Sequence, residues 1–380
     1  MRGGRRATAI GHWFIGHWSF REERAMKFSI DYFPTYHPQI KSAQAYYNES
    51  LDLAGLCDDL GYDSLKIVEH HFHAYGGLCP SAPVFLSAAA MRTRRMKIIT
   101  GCVLPVFNHP VRLAEELALL DVLSNGRLEV GIARAFLPHE FHMFNVSMEE
   151  SRARFEEGIT ALKMLWTQES ATFEGKFHKF YDVHVLPRPA QKPYPPIWIA
   201  AVVSPESFVW TGQQGYKLMC VPYLGDFHEL AEKLDLYRKA YLDAGHPPDQ
   251  MEIMMVFHLY IAESSRAAKE ECEAYINRYI EVFLESAKWW TGRTSTNYAQ
   301  YPKLEELLRA ITYERAYNEN RALIGTPDEV HKRLEAATKI FGPIYPTFQI
   351  NFGGMEMERA RRTVDLFAKY LMPEWRARAI

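Results

Sequence analysis

With 380 residues, 48% of them hydrophobic and 24% charged, the chain has the balance of a soluble globular protein and enough apolar material for a large core without disulfides or a structural metal. A formal net charge of −2, with Lys and Arg spread along the chain apart from Arg2, Arg5, Arg6 and a cluster at 359–362, argues against a nucleic-acid partner. No apolar run reaches the roughly 18–20 residues of a membrane-spanning helix, and five cysteines with no C-x-x-C pair suit a reducing, cytoplasmic compartment.

Residues 1–25 begin Arg-rich and continue as GHWFIGHWSF, where two His interrupt the apolar stretch before the charged REER. A signal peptide needs a clean apolar core and a small-residue cleavage site. The segment therefore reads as a disordered leader or an over-called start, with one domain expected over 26–380.

From Met26 onward, strand-like runs alternate with amphipathic helices, the pattern of a parallel α/β arrangement. MKFSIDYF (26–33) is the first expected strand, and apolar spacing over 42–60 predicts a helix closed by Gly61. DSLKIVEHHF (63–72) holds the second strand and its exit, MKIITGCVL (96–104) the third, and 110–123 a helix. GRLEVGIAR (126–134) is the fourth. A helix follows over 148–167, with Ser147 and Glu150 at capping-box spacing. A Pro-rich excursion over 170–196 precedes the fifth strand, PIWIAAV (196–202). YKLMCV (216–221), MEIMMVFHLYIA (251–262) and PTFQINF (346–352) supply the sixth to eighth, with helices at 227–244, 265–285 and 356–371. Eight such units predict a closed (β/α)8 TIM barrel with an insertion between strands seven and eight. That insertion includes KWWTGRTSTNYAQYPK (288–303), whose Trp289, Trp290, Tyr298 and Tyr301 suggest a lid over an apolar or elongated guest.

Three local patterns carry chemistry. Glu69-His70-His71-Phe72-His73 falls at the carboxyl end of strand two, the catalytic face of a barrel. Strand alternation would put His71 and His73 on one side and His70 on the other. A zinc site needs ligands from other strand ends, yet strands five, six and eight offer no His, Asp or Glu, and Cys220 is the one soft candidate. The reading favoured is local hydrogen bonding for His71 and His73, and catalysis for His70. In the fourth strand, Glu129, Gly131 and Ala133 point inward, and the two small residues leave room for a flat ligand. Arg134 emerges just beyond, where its planar fork suits a phosphate, although a surface salt bridge would account for it equally. After strand five, Ser204 and Pro205 read as N-cap and first helical residue. The helix amides with the Ser204 and Ser207 hydroxyls form an anion site, or a plain cap. There is no G-x-G-x-x-G after a strand, no Walker A loop and no G-x-S-x-G elbow.

Taken in order, VEHHF (68–72), LPVFNHPVRLAEELALLD (104–121), NGRLEVGIARAF (125–136), SRARFEEG (151–158), PPIWIAAVVSPES (195–207), IGTPDEV (324–330) and FAKYLMP (367–373), with the opening MKFSIDYF, resemble the bacterial luciferase family of flavin-dependent monooxygenases, from Met26 to about Pro373. The resemblance implies a barrel that binds reduced FMN at the strands' carboxyl ends and reacts it with O2. The resulting C4a-hydroperoxide oxidises a small organic substrate. A separate flavin reductase would supply the reduced FMN, and a homodimer is implied. The family's catalytic His carries over to His70, its phosphate arginines to Arg134 and Arg152, and its phosphate-side hydroxyls to Ser204 and Ser207. Thr100, Gly101 and Val103 fall where the family's third strand passes the flavin ring, often through a non-proline cis peptide. The deazaflavin F420, or a non-catalytic flavin-binding role, are alternatives on the same barrel. Three positions depart from the pattern. Ala133 stands where the light-emitting subunit has a reactive Cys, Ala135 replaces the Gly after the phosphate Arg, and Val202 and Val203 replace an acidic residue where one residue is inserted.

Overall fold

The computed structural model describes residues 25–293, 295–299 and 304–378, so the leader up to residue 24 and Tyr301 lie outside the described residues. Eight parallel strands close on themselves. They are β1 (Ser29–Tyr32), β2 (Ser64–Ile67), β3 (Lys97–Thr100), β4 (Leu128–Ile132), and, after an antiparallel hairpin of β5 (Ala171–Glu174) and β6 (Lys179–Val183), β7 (Ile197–Ala200), β8 (Lys217–Cys220), β9 (Ile253–Ile261) and finally β11 (Tyr345–Ile350), which pairs back onto β1. A short β10 (Leu323–Gly325) in the insertion pairs with the far end of β9. The expected TIM barrel is thus observed. Parallel strands need a long crossover, and the intervening helices supply it.

The strand period of two sorts each residue. Ile30, Leu65, Ile98, Val130, Leu218 and Phe348 face outward into the core shared with the helices. Ile99, Trp198, Met219, Met254 and Tyr345 face inward and fill the lower barrel. Asp31 on β1, Lys66 on β2 and Glu129 on β4 share the inward parity and are buried, and Lys217 on β8 shares it and is partly buried.

Local signals explain most element ends. Ser42 caps the helix Ala43–Leu60 by accepting from the Ala45 amide, and Gly61 ends it at φ 91°. Thr326 and Glu329 form a capping box on the helix Pro327–Phe341. The box expected at Ser147 does not form. Ser147 accepts instead from the Glu149 amide and caps a 3-10 turn, Met148–Glu150, that leads into the helix Ser151–Thr167, while Glu150 binds Arg154 at 2.9 Å. Gly131 also differs from expectation. A Cβ there would lie 2.0 Å from the Thr100 carbonyl oxygen and 2.9 Å from Met219 Cε, so its small size admits the neighbouring strand, not a ligand.

Candidate active site

One cavity opens at the carboxyl ends of the strands, and His70, Gly101, Arg134, Arg152, Ser204 and Ser207 all line it. His70 sits three residues past the end of β2. Its Nδ1 lies 3.0 Å from Glu140 Oε1, and the same oxygen accepts the His71 amide at 3.0 Å. Glu140, on the short helix Pro138–Met143 after β4, is fully buried. A carboxylate there accepts Nδ1–H, which fixes the tautomer and leaves Nε2 for the cavity. The ring stacks on Phe33 at 5.8 Å and 17° and contacts Tyr75 and Phe136. Gly76, at φ 74°, makes this packing possible, since a Cβ would come within 2.8 Å of His70 Cδ2 and Phe33 Cε2.

The alternation assumed for the histidines fails because the chain leaves extended geometry, with Phe72 at φ 63°. The His71 ring packs on Phe144, its carbonyl oxygen lies 3.0 Å from His139 Nε2, and the His73 ring faces His139. Burial holds both His71 and His73 below the ordinary imidazole range. Among the described residues, no group of three His, Cys, Asp or Glu is placed to hold a metal ion.

At the β4 and β7 side, the Arg134 guanidinium lies 4.6 Å over the Tyr298 ring. Its Nη2 donates to the Asn297 carbonyl at 3.1 Å, while Nη1 is buried with no hydrogen-bond partner among the described residues. Tyr298 in turn donates to the Ala135 carbonyl at 2.8 Å. The aromatic expected to belong to a lid is therefore a buried support for Arg134. Arg152 meets Glu156 only at 3.8 Å. Ser204 takes the N-cap position of the helix Pro205–Gln213, but its hydroxyl donates to Glu206 Oε2 at 2.5 Å rather than accepting from the helix amides. That bond holds the Glu206 carboxyl below its usual range, with Arg152 adding a smaller pull. This end offers a cationic N–H unpartnered among the described residues, the Arg152 guanidinium, the Ser207 hydroxyl and a helix start, while the Ser204 hydroxyl is engaged by Glu206. That donor set fits the phosphate of FMN.

The Gly101–Cys102 peptide, just past β3, is cis. A Cβ on Gly101 would lie 3.0 Å from the Ile67 carbonyl oxygen and 3.2 Å from Lys66 Nζ, so the chain passes close over the floor of the cavity there. Thr100 and Val103 do not line the cavity. Thr100 has the outward parity of Ile98 and donates to the Gly131 carbonyl at 2.8 Å, and Val103 pairs with Ile132 in the outer core. They hold β3 against β4 from behind.

Sequence reasoning missed Glu140, whose position after β4 carries no motif. It also missed the floor, where Asp31 and Lys66 pair at 2.9 Å beside Gln349. Charged residues at inward strand positions were the available signal.

The luciferase-like monooxygenase family model matches residues 26–342. The oxygenase component of a flavin-dependent trigonelline monooxygenase from Acinetobacter baylyi is 29% identical over 86% of this chain and 89% of its own. The crystal structure of monooxygenase RslO1 from Streptomyces bottropensis superposes with a TM-score of 0.82 at 40% identity, covering 92% of this chain and all (100%) of that one. The oxygenating constituent of 3,6-diketocamphane monooxygenase from Pseudomonas putida, solved with FMN, shares the fold at a TM-score of 0.78 and 20% identity, over 92% of this chain and 99% of that one. With a family model matched across most of its length and a cavity built at the barrel's catalytic face, this chain belongs to the luciferase-like monooxygenases, a family of oxidoreductases.

Proposed function

We propose that the chain is the oxygenase half of a two-component system, taking reduced FMN from a separate reductase and using O2 to oxidise an organic substrate. The observation that carries this reading is the buried Nη1 of Arg134, unpartnered among the described residues, in the same cavity as Ser204, Ser207 and His70. A buried guanidinium N–H without an acceptor is costly, and an anion arriving there removes the cost. Arg134, Arg152, Ser204 and Ser207 would hold the phosphate, and Gly101 and Ala133 leave space for the ring. Reduced FMN supplies, when bound, the two electrons that divide O2 between substrate and water. His70, held by Glu140, keeps or passes a proton at Nε2 beside the reacting atoms, and its aromatic walls keep water from that nitrogen. The sequence has no nicotinamide fingerprint, which supports an outside source of reducing equivalents.

The test is a titration of the full chain with FMN and, separately, with F420, followed by fluorescence, then mixing of the anaerobic reduced complex with O2. FMN should bind, with Arg134→Met weakening it by about 10- to 100-fold, the range of one lost charge-assisted hydrogen bond or two. His70→Ala should divert consumed O2 to hydrogen peroxide. Preferential binding of F420, or an FMN affinity indifferent to Arg134→Met, would overturn the reading.

A further inference from the structure

Behind one wall of the main cavity lies a second, smaller one that neither the phosphate-binding set nor His70 explains. Tyr223 and Phe283 line both, so these two side chains form the partition. The second chamber is about 20 Å³, room for one water-sized or diatomic guest. Its walls are apolar, with Ile276 and Ile280 from the helix Ser265–Ala287, Leu308 and Ile311 from the insertion, and Ala316 and Ala322 ahead of β10. The polar groups that reach it, among the described residues, are already engaged or neutral. The Tyr223 and Tyr279 hydroxyls meet each other at 2.9 Å. Arg321 donates to Glu319 Oε2 at 2.7 Å and to the Gly225 carbonyl. His258 is buried, burial pushes its imidazole down to about 3, and its Nε2 has no hydrogen-bond partner among the described residues. A water in the chamber would thus find one ready partner, where a buried water takes about three.

We propose that this chamber is a binding site for dioxygen, which it holds as an apolar diatomic and passes to the main cavity between Tyr223 and Phe283. Small apolar chambers stay dry and take up apolar guests, because such a guest gives up no hydrogen bond on leaving water. An organic substrate is excluded by size, and an ion by walls that would strip its water without replacing it. Phe283 stacks on Tyr75 at 4.2 Å and 15°, and the Tyr75 ring lies 5.2 Å from that of His70, so a gas crossing the partition arrives beside the imidazole. A cofactor and substrate seated in the main cavity would cover its mouth, which leaves the wall as the way in for a gas. The gas site stands on the chamber alone, and its role rests on the oxygenase reading.

The experiment uses xenon, an apolar monatomic probe. Crystals of the full chain pressurised with xenon should show the gas between Ile276, Leu308 and Ala322. In solution, O2 at a fixed concentration should reoxidise the reduced FMN complex about fourfold more slowly under saturating xenon than under helium, the scale of losing one buried methylene-sized contact. Ala316→Leu and Ala322→Leu each place bulk in the chamber. Either should expel xenon, slow reoxidation by about the same fourfold factor and make the rate indifferent to xenon, with FMN affinity kept within about twofold. Should neither variant fold, the xenon-against-helium comparison on the parent, with the position of the gas in the crystal, decides the matter. No xenon in the chamber, or an ordered water there that xenon does not displace, would overturn the site. Xenon in place with reoxidation unmoved by the gas and by both variants would overturn the delivery of O2. A chain that takes up xenon but never binds FMN would sink the oxygenase reading alone.

Discussion

At the amino-terminal end of the barrel, Lys217 lies 2.6 Å from Glu252 and 3.2 Å from Glu129, and Glu129 also accepts the Trp198 indole N–H at 2.6 Å. Ser64 and Tyr345 share a hydroxyl contact of 2.5 Å in the same layer. At the carboxyl end, Arg134 Nη1 is equally buried, yet it has no hydrogen-bond partner among the described residues. Both ends are polar, but one is satisfied and the other is not. Buried groups left unpaired cost free energy that a purely structural element would not retain. The lower end therefore reads as a plug that stabilises the barrel, and the upper end as a surface waiting for a ligand.

The largest expected effect crosses the two ends. Burial works against the charges of the lower network, but Lys217 and Lys27 hold the Glu252 carboxyl below its usual range, and the carboxylates raise Lys217. Lys217→Met leaves Glu129 and Glu252 without their shared cation and should cost about 3 kcal/mol in urea unfolding, while FMN affinity stays within about twofold. Arg134→Met should do the reverse, weakening FMN while leaving stability within about 0.5 kcal/mol. A plug variant that loses FMN affinity, or an Arg134 variant that unfolds, would erase the division between the ends.

A second effect lies inside the upper end and depends on pH. Glu69 lines the cavity with its Oε2 accepting the Ala82 amide at 3.2 Å. Burial pushes its carboxyl up to about 8, with Glu140 adding to the rise. Its pKa is thus raised in the folded state, so its contribution to stability is fully present below about pH 4.5 and is lost as pH rises toward 8. Glu69→Gln keeps an acceptor for the Ala82 amide and removes the titration. Between pH 5 and pH 8 the parent should lose on the order of 2 kcal/mol relative to the variant, by denaturant unfolding. Parallel curves would mean that Glu69 stays ionised, and the cavity would then be more polar than its walls indicate.

The two ends were unequally legible in the sequence. Strand order, the closing helix and the carboxyl-end position of His70 followed from periodicity, because strands and helices impose repeats of two and 3.6 on any buried face. Arg134, Ser204 and Ser207 followed from their places after strands. Residues that act across the fold did not. Glu140 reaches His70 from 70 positions away along the chain. Asn297 and Tyr298 brace Arg134 across 163 and 164 positions, from an insertion read as a lid. No local pattern encodes such pairs. Gly131 is the opposite case, where a correct inward assignment led to a wrong use, since only the three-dimensional approach of Thr100 shows what its missing side chain admits. The helix Ala82–Arg92 gave a weak signal, its run of three alanines (88–90) being neither strongly periodic nor charged.

The smallest effect concerns Ala135, one residue past Arg134. It is buried at φ 59°, a conformation that glycine adopts freely and that costs an L-residue about 1 kcal/mol. The Tyr298 hydroxyl on its carbonyl helps to hold that geometry. Ala135→Gly removes the strain but frees the unfolded chain by a similar amount and deletes a buried methyl, so stability should shift by less than about 0.5 kcal/mol. Ala135→Val places a branched side chain where the backbone excludes one, and should cost about 2 kcal/mol or more and weaken FMN binding through Arg134. The contrast between the two replacements, rather than either alone, is the measurement. Equal tolerance of Gly and Val in thermal unfolding would show that the turn after Arg134 is not fixed in the left-handed region, and that the arginine at the upper end is not held ready in advance of its ligand.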